Sequence, residues 1–142
     1  MPDDPYRLQR FVDAQEQGGT YERALAELRA GRKSGHWIWF VFPQIAGLGR
    51  SPRAQEYAIG SLAEARAYLD HPLLGPRLRG SAAALLPHAG TPAATILGGI
   101  DALKLRSSMT LFARADPAEP LFGQVLDAFY DGGADPETLA RV

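Results

Sequence analysis

Five times along this chain a small polar residue stands directly before proline: Asp4-Pro5, Ser51-Pro52, Thr91-Pro92, Asp116-Pro117 and Asp135-Pro136. A side-chain oxygen at the N-cap satisfies an orphan N–H of a helix's first turn, and proline at the next position lacks a donor that would go unmet there. Each pair therefore predicts a helix start. Glycines supply the stops, at Gly18-Gly19, Gly31 and Gly98-Gly99. Apolar spacing of 3, 4 and 7 residues fills the intervals, as in Tyr21, Ala24, Leu25 and Leu28. The pattern predicts a compact all-α fold of about seven to nine short helices. Its main helices run over Pro5–Gln17, Thr20–Gly31, from Ser51, from Ser61 to Leu69 behind a Ser-x-x-Glu capping box, from His71, over Asp101–Ala113, over Leu121–Tyr130, and a last turn from Asp135.

A length of 142 residues suits one domain spanning 1–142, and 46% hydrophobic residues suffice for a core without staples. No apolar run approaches the roughly 20 residues of a membrane helix. The start Met1-Pro2-Asp3-Asp4-Pro5 has no charged-then-apolar leader, so a cytoplasmic location is expected. The absence of cysteine excludes disulfides and thiolate chemistry. His36, His71 and His88 have no metal-ligand spacing, and neither a GxGxxG or Walker loop nor a GxSxG elbow occurs, so no cofactor or metal is expected. A net charge of -1 gives no global attraction to duplex nucleic acid or anionic lipid.

The charge is unevenly placed. From Leu28 to Gln55 there is no acid, while Arg29, Arg32, Lys33, Arg50 and Arg53 are basic. Within this stretch lies His36-Trp37-Ile38-Trp39-Phe40-Val41-Phe42-Pro43-Gln44, which holds both tryptophans. As a helix the segment is apolar all round. As a strand it alternates Trp37, Trp39 and Val41 against Ile38, Phe40 and Phe42. With helical neighbours on both sides, a short buried helix ended by Pro43 is the expected form. Cations beside aromatics suit a planar anion, because phosphate needs charge and a ring needs a stacking face. Arg32, His36, Trp37, Trp39, Gln44, Arg50, Ser51 and Tyr57 are therefore candidate ligand-binding residues. The blander reading of the same segment is a solvated basic rim around a core element.

The helix after Gly99 carries polar groups on its apolar side. At 100° per residue with Asp101 at zero, Lys104 lies near about -60° and Ser108 near about -20°, inside an arc bounded by Leu111 and Met109. Arg106, Ser107, Thr110 and Arg114 occupy the other side, expected to be wet. A carboxylate and an ammonium on a core stripe are costly unless paired or used. Asp101 and Lys104 are either an i,i+3 ion pair or, with Lys33, candidate catalytic groups, and Ser108 is a candidate ligand contact.

Arg32-Lys33-Ser34-Gly35-His36-Trp37-Ile38-Trp39-Phe40-Val41-Phe42-Pro43-Gln44 resembles the signature of the family called domain of unknown function 1810. Further blocks fit in order, among them His71-Pro72-Leu73-Leu74-Gly75-Pro76-Arg77-Leu78 and Asp101 to Phe112. One local departure falls at Leu97-Gly98-Gly99-Ile100, where Phe-Gly is expected. The resemblance implies a compact all-helical domain and no established activity. The order of the blocks is loosely similar to that of NADAR domains, which are linked to removal of ADP-ribose from nucleobases. Two functional readings follow. One is a pocket for a small nucleotide-like anion, extending to an N-glycosidase for ADP-ribose conjugates. The other is a non-catalytic protein-interaction module.

Overall fold

The computed structural model describes residues 3–142. The chain runs through α1 (Gln9–Glu16), α2 (Thr20–Ala30), α3 (Ile38–Val41), α4 (Pro52–Glu56), α5 (Leu62–Asp70), α6 (Leu74–Leu85), α7 (Ala93–Leu97), α8 (Gly99–Ala115), α9 (Leu121–Tyr130) and α10 (Pro136–Leu139). Short 3-10 turns cover Gln17–Gly19 and Leu86–His88. The described residues form no strand, only an isolated parallel bridge between Ile45 and Ile59. No helix among them is long and apolar enough to cross a membrane.

The caps explain most boundaries. Ser51 Oγ accepts from the Ala54 amide at 3.1 Å, Ser61 Oγ from Glu64 at 3.1 Å, and Asp135 Oδ2 from Thr138 at 3.2 Å. His71 opens α6 through Nδ1, which accepts from Leu73 at 3.1 Å and Leu74 at 3.2 Å. Gly31 ends α2 in the left-handed region, at φ 74°. Three starts differ from expectation. Asp4 does cap α1, but across a turn: its carboxylate accepts from Leu8 and Gln9, so the helix begins at Gln9 rather than Pro5. Thr91 makes no cap, because α7 starts from Pro92 in an extended conformation without any side-chain acceptor. Asp116-Pro117 forms a turn closed by Glu119 N–H to Asp116 C=O, and α9 begins four residues later.

The core gathers around α8, which packs against α5, α7, α9 and α10. Leu105, Met109, Leu111 and Phe112 are fully buried there, beside Tyr68 of α5 and Phe122 of α9. The second layer joins α6 to α2, α5 and α9. Its contact with α5 is close at Gly75, where a Cβ would stand 2.1 Å from the Leu69 carbonyl oxygen, so only glycine fits.

The side of α8 expected to be wet is largely covered. Ser107 and Thr110 are buried under the C-terminal segment, and Arg106 donates to the Gly133 and Ala134 carbonyls at 2.7 and 2.9 Å. Arg114 alone of the four stays exposed. Conversely, Ile100 and Leu103 near the start of α8 are 73% and 65% exposed. A helical wheel separates polar from apolar positions, but it cannot tell which face a distant segment will cover.

Candidate functional site

The aromatic segment forms the short helix α3, and the loop before it is drawn inward by two carboxylates. Glu27 of α2 is the first. Its Oε1 accepts from the Ser34 amide at 2.7 Å, the Gly35 amide at 2.8 Å and the Trp37 indole at 3.0 Å. Burial raises the carboxyl's pKa, but these three donors outweigh it and hold Glu27 below the usual glutamate range. Sequence reasoning passed over Glu27. The signal available was its position as the last acid before the acid-free stretch, where any anion must serve all the nearby donors.

Asp101 is the second carboxylate. It lies in the first turn of α8, where the helix dipole favours a negative charge. Lys33 Nζ reaches its Oδ2 at 2.8 Å, and Lys104 Nζ stands 3.8 Å from its Oδ1. The Lys33 side chain is 7% exposed. Its ammonium also donates to the Gly35 carbonyl and lies 5.0 Å from the Trp37 ring centre. Carboxylate, carbonyl and π face together satisfy its three donors, which makes burial of the cation tolerable. The Lys33 amide donates to the Ile96 carbonyl at 2.8 Å, tying the loop to α7.

Lys104 is held differently. Its side chain is 22% exposed and makes no hydrogen bond among the described residues, its one ionic contact there being the 3.8 Å approach to Asp101. Its Nζ lies 5.1 Å from the Trp39 ring centre, and the Arg53 guanidinium lies 5.2 Å from the same ring. Lys104 lines an open cleft of about 310 Å³, together with Gln44, Ile100, Leu103, Arg106 and the acids Asp135 and Glu137. That volume is at the small end of ligand pockets. A narrow niche of about 10 Å³ adjoins it, lined by Trp39, Gln44, Gly49 and Tyr57 among others.

The structure thus brings Lys33, Asp101, Lys104, Trp37 and Trp39 into one neighbourhood, with Gln44 between the two cavities. Other candidates fall elsewhere. Arg32, His36 and Arg50 are exposed and line neither cavity. Ser51 is occupied as the cap of α4. Trp37 is 1% exposed with its N–H on Glu27, leaving no open face for a ring to stack on. Ser108 is fully buried, and its hydroxyl has no partner among the described residues, so it is out of a ligand's reach. Tyr57 packs against Phe11 and Phe40, with ring centres 5.8 and 5.3 Å away.

A larger hollow of about 700 Å³ lies between the N-terminal segment and the start of α6. Its Asp4 and His71 are both occupied in capping backbone amides. The larger cavity therefore has the poorer chemistry. Among the described residues no group of three or more His, Asp or Glu is placed to hold a metal ion.

The protein family of unknown function DUF1810 matches residues 5–142, nearly the whole chain. The chain belongs to this DUF1810 family. This DUF1810 protein is also similar to the conserved hypothetical protein Rv1873 from Mycobacterium tuberculosis, known from a crystal structure. The two are 52% identical, the match covers 96% of each chain, and the TM-score is 0.93. Among curated proteins, none matches the chain.

Proposed function

We propose that this protein binds a small nucleotide-like anion in the cleft beside Lys104, and that Asp101 serves cleavage of the N-glycosidic bond of an ADP-ribose conjugate there. The observation that supports the reading is an ammonium, Lys104, that lines the cleft beside the Trp39 indole and approaches the partly exposed Asp101 carboxylate, which Lys33 holds from its other side. Glycosidic cleavage passes through an oxocarbenium-like state, which a fixed carboxylate stabilises. Lys33 is the positioning residue, orienting that carboxylate through the 2.8 Å contact. Lys104, which makes no hydrogen bond among the described residues, offers donors to the ligand's phosphate or to the departing base.

The test is a thermal-shift screen of AMP, ADP-ribose and NAD against wild type and Lys104→Met. At 100 times its dissociation constant, a ligand adds about 2.7 kcal/mol to stability, a readily measured rise in melting temperature. A shift lost in Lys104→Met supports the site, and release of free base that disappears in Asp101→Asn supports the chemistry. No shift with any of the three rejects the reading. The interaction-module reading is favoured by one observation: Ile100 and Leu103, on the wall of the same cleft, are the most exposed large hydrophobic residues of those described.

A further inference from the structure

Among the described residues three large hydrophobic side chains stand exposed, Ile100, Leu103 and Leu139, and all three belong to α8 or to the α10 that packs on it. Ile100 and Leu103 are three residues apart on one helix, so they form a single ridge. One exposed aliphatic is ordinary on a protein surface, whereas adjoining ones mark a contact surface. Both line the wall of the 310 Å³ cleft, but at 73% and 65% exposure they stand mostly out of it. A small ligand held in the cleft leaves most of the ridge uncovered.

The charges beside the ridge decide what covers it. Lys104 and Glu137 line the same cleft wall to wall with the two aliphatics. Lys104 makes no hydrogen bond among the described residues, and its ionic contact there is the loose one to Asp101. Glu137 accepts from Arg141 at 3.0 Å, yet its side chain is 71% exposed, so its carboxylate has lone pairs left for a second cation. An acidic partner would be opposed by Glu137 and a basic one by Lys104. An anionic membrane surface would be opposed by Glu137 and by the net charge of -1. An apolar ridge flanked by one charge of each sign is complementary to a copy of itself, turned so that each cation meets the other copy's carboxylate.

We propose that this face is a contact between two copies of this chain related by a twofold axis, with Ile100 and Leu103 of each at its centre and Lys104 of each opposite Glu137 of the other. The second copy covers the open side of the cleft, and the contact does not depend on a nucleotide being held there. A ridge of two side chains is small against the roughly 20–30 residues a side of a stable interface, so the dimer is a weak, reversible one.

Sedimentation velocity of the full chain, without ligand, from about 5 to about 500 μM tests the contact, and a shift from monomer to dimer centred near about 50 μM is expected for an interface of this size. Leu103→Asp, at an exposed position outside the core, is expected to stay monomeric throughout. Lys104→Glu and Glu137→Lys each set like charges against one another twice across the axis and should weaken association by about tenfold. An equimolar mixture of these two variants should associate as wild type does, because every facing pair is again opposite in sign. Recovery in the mixture also shows that both variants are folded. A wild-type chain that is monomeric over the whole range, a dimer that survives Leu103→Asp, or a mixture no more associated than its components overturns the proposal. Each of those results leaves the nucleotide reading, with its own test by melting temperature, as it stands.

Discussion

Asp101 and Asp135 are carboxylates that meet α8 near its beginning and at its middle, and they are held in contrasting ways. Asp135 Oδ2 accepts from Ser107 Oγ at 2.9 Å, Thr138 Oγ1 at 2.6 Å and the Thr138 amide at 3.2 Å, while the Asp135 amide donates to Thr110 Oγ1 at 2.9 Å. Each group in that cluster has its partner within the chain. Around Asp101 the Lys33 side is as tightly closed, at 2.8 Å, but the Lys104 side is loose, at 3.8 Å; Lys104 lines the same cleft as Ser107 and Asp135, yet makes no hydrogen bond among the described residues. A polar cluster that satisfies itself fastens the fold. One that leaves a cation loosely paired on a cleft wall has capacity for a guest.

The contrast can be broken by mutation. Asp135→Ala is expected to have the largest effect, destabilising by about 3 kcal/mol in urea unfolding, because it strips a helix cap and leaves the buried Thr138 hydroxyl without its acceptor. Lys33→Met keeps the stem's packing but removes the closed half of the Asp101 cluster, and about 2 kcal/mol should be lost. Lys104→Met should cost less than about 1 kcal/mol, as expected for a partly exposed, loosely paired cation. If Lys104→Met destabilises as much as Asp135→Ala, the two clusters are alike and the argument for an open site fails.

Acid sharpens the same comparison. For Asp135, burial raises the pKa, but hydrogen bonds from Thr138 and Ser107 outweigh it and hold the carboxyl below the ordinary aspartate value of 3.8. Glu27 lies below its ordinary 4.5 for the corresponding reason. The unfolded chain therefore takes up these protons at a higher pH than the folded one. Stability from both groups is fully present above those ordinary values and declines as pH falls through the lower, folded values. Melting temperature followed from about pH 6 to pH 3 should drop, and Asp135→Asn and Glu27→Gln should each reduce the slope. An unchanged slope in both variants would show that neither carboxylate is held as described.

Local chemistry was the legible part of the sequence. Ser51, Ser61, His71 and Asp135 cap where a side-chain acceptor precedes a helix by one to three residues, and Gly31 stops α2 where a left-handed residue is needed. Asp116-Pro117 shows the limit: the same dipeptide fits a turn equally well, and the chain beyond it decides. The i,i+3 approach of Asp101 and Lys104 follows from helix geometry alone, whereas the closer bond from Lys33 depends on how α7 and α8 dock against the loop. Ser107 and Thr110 were misjudged for a related reason. Their burial comes from a segment more than twenty residues further on, and no periodicity within α8 records it.

The Arg32–Gly35 loop is tied at two ranges, which gives three adjacent amides different meanings in hydrogen exchange. The Ser34 and Gly35 amides are bonded to Glu27, seven and eight residues away, and need only the α2 hairpin to stay closed. The Lys33 amide is bonded to the Ile96 carbonyl and is protected only while the two halves of the chain remain together. Exchange at Lys33 measured against its two neighbours therefore reports the parting of those halves separately from fraying of the loop, within three residues of one backbone.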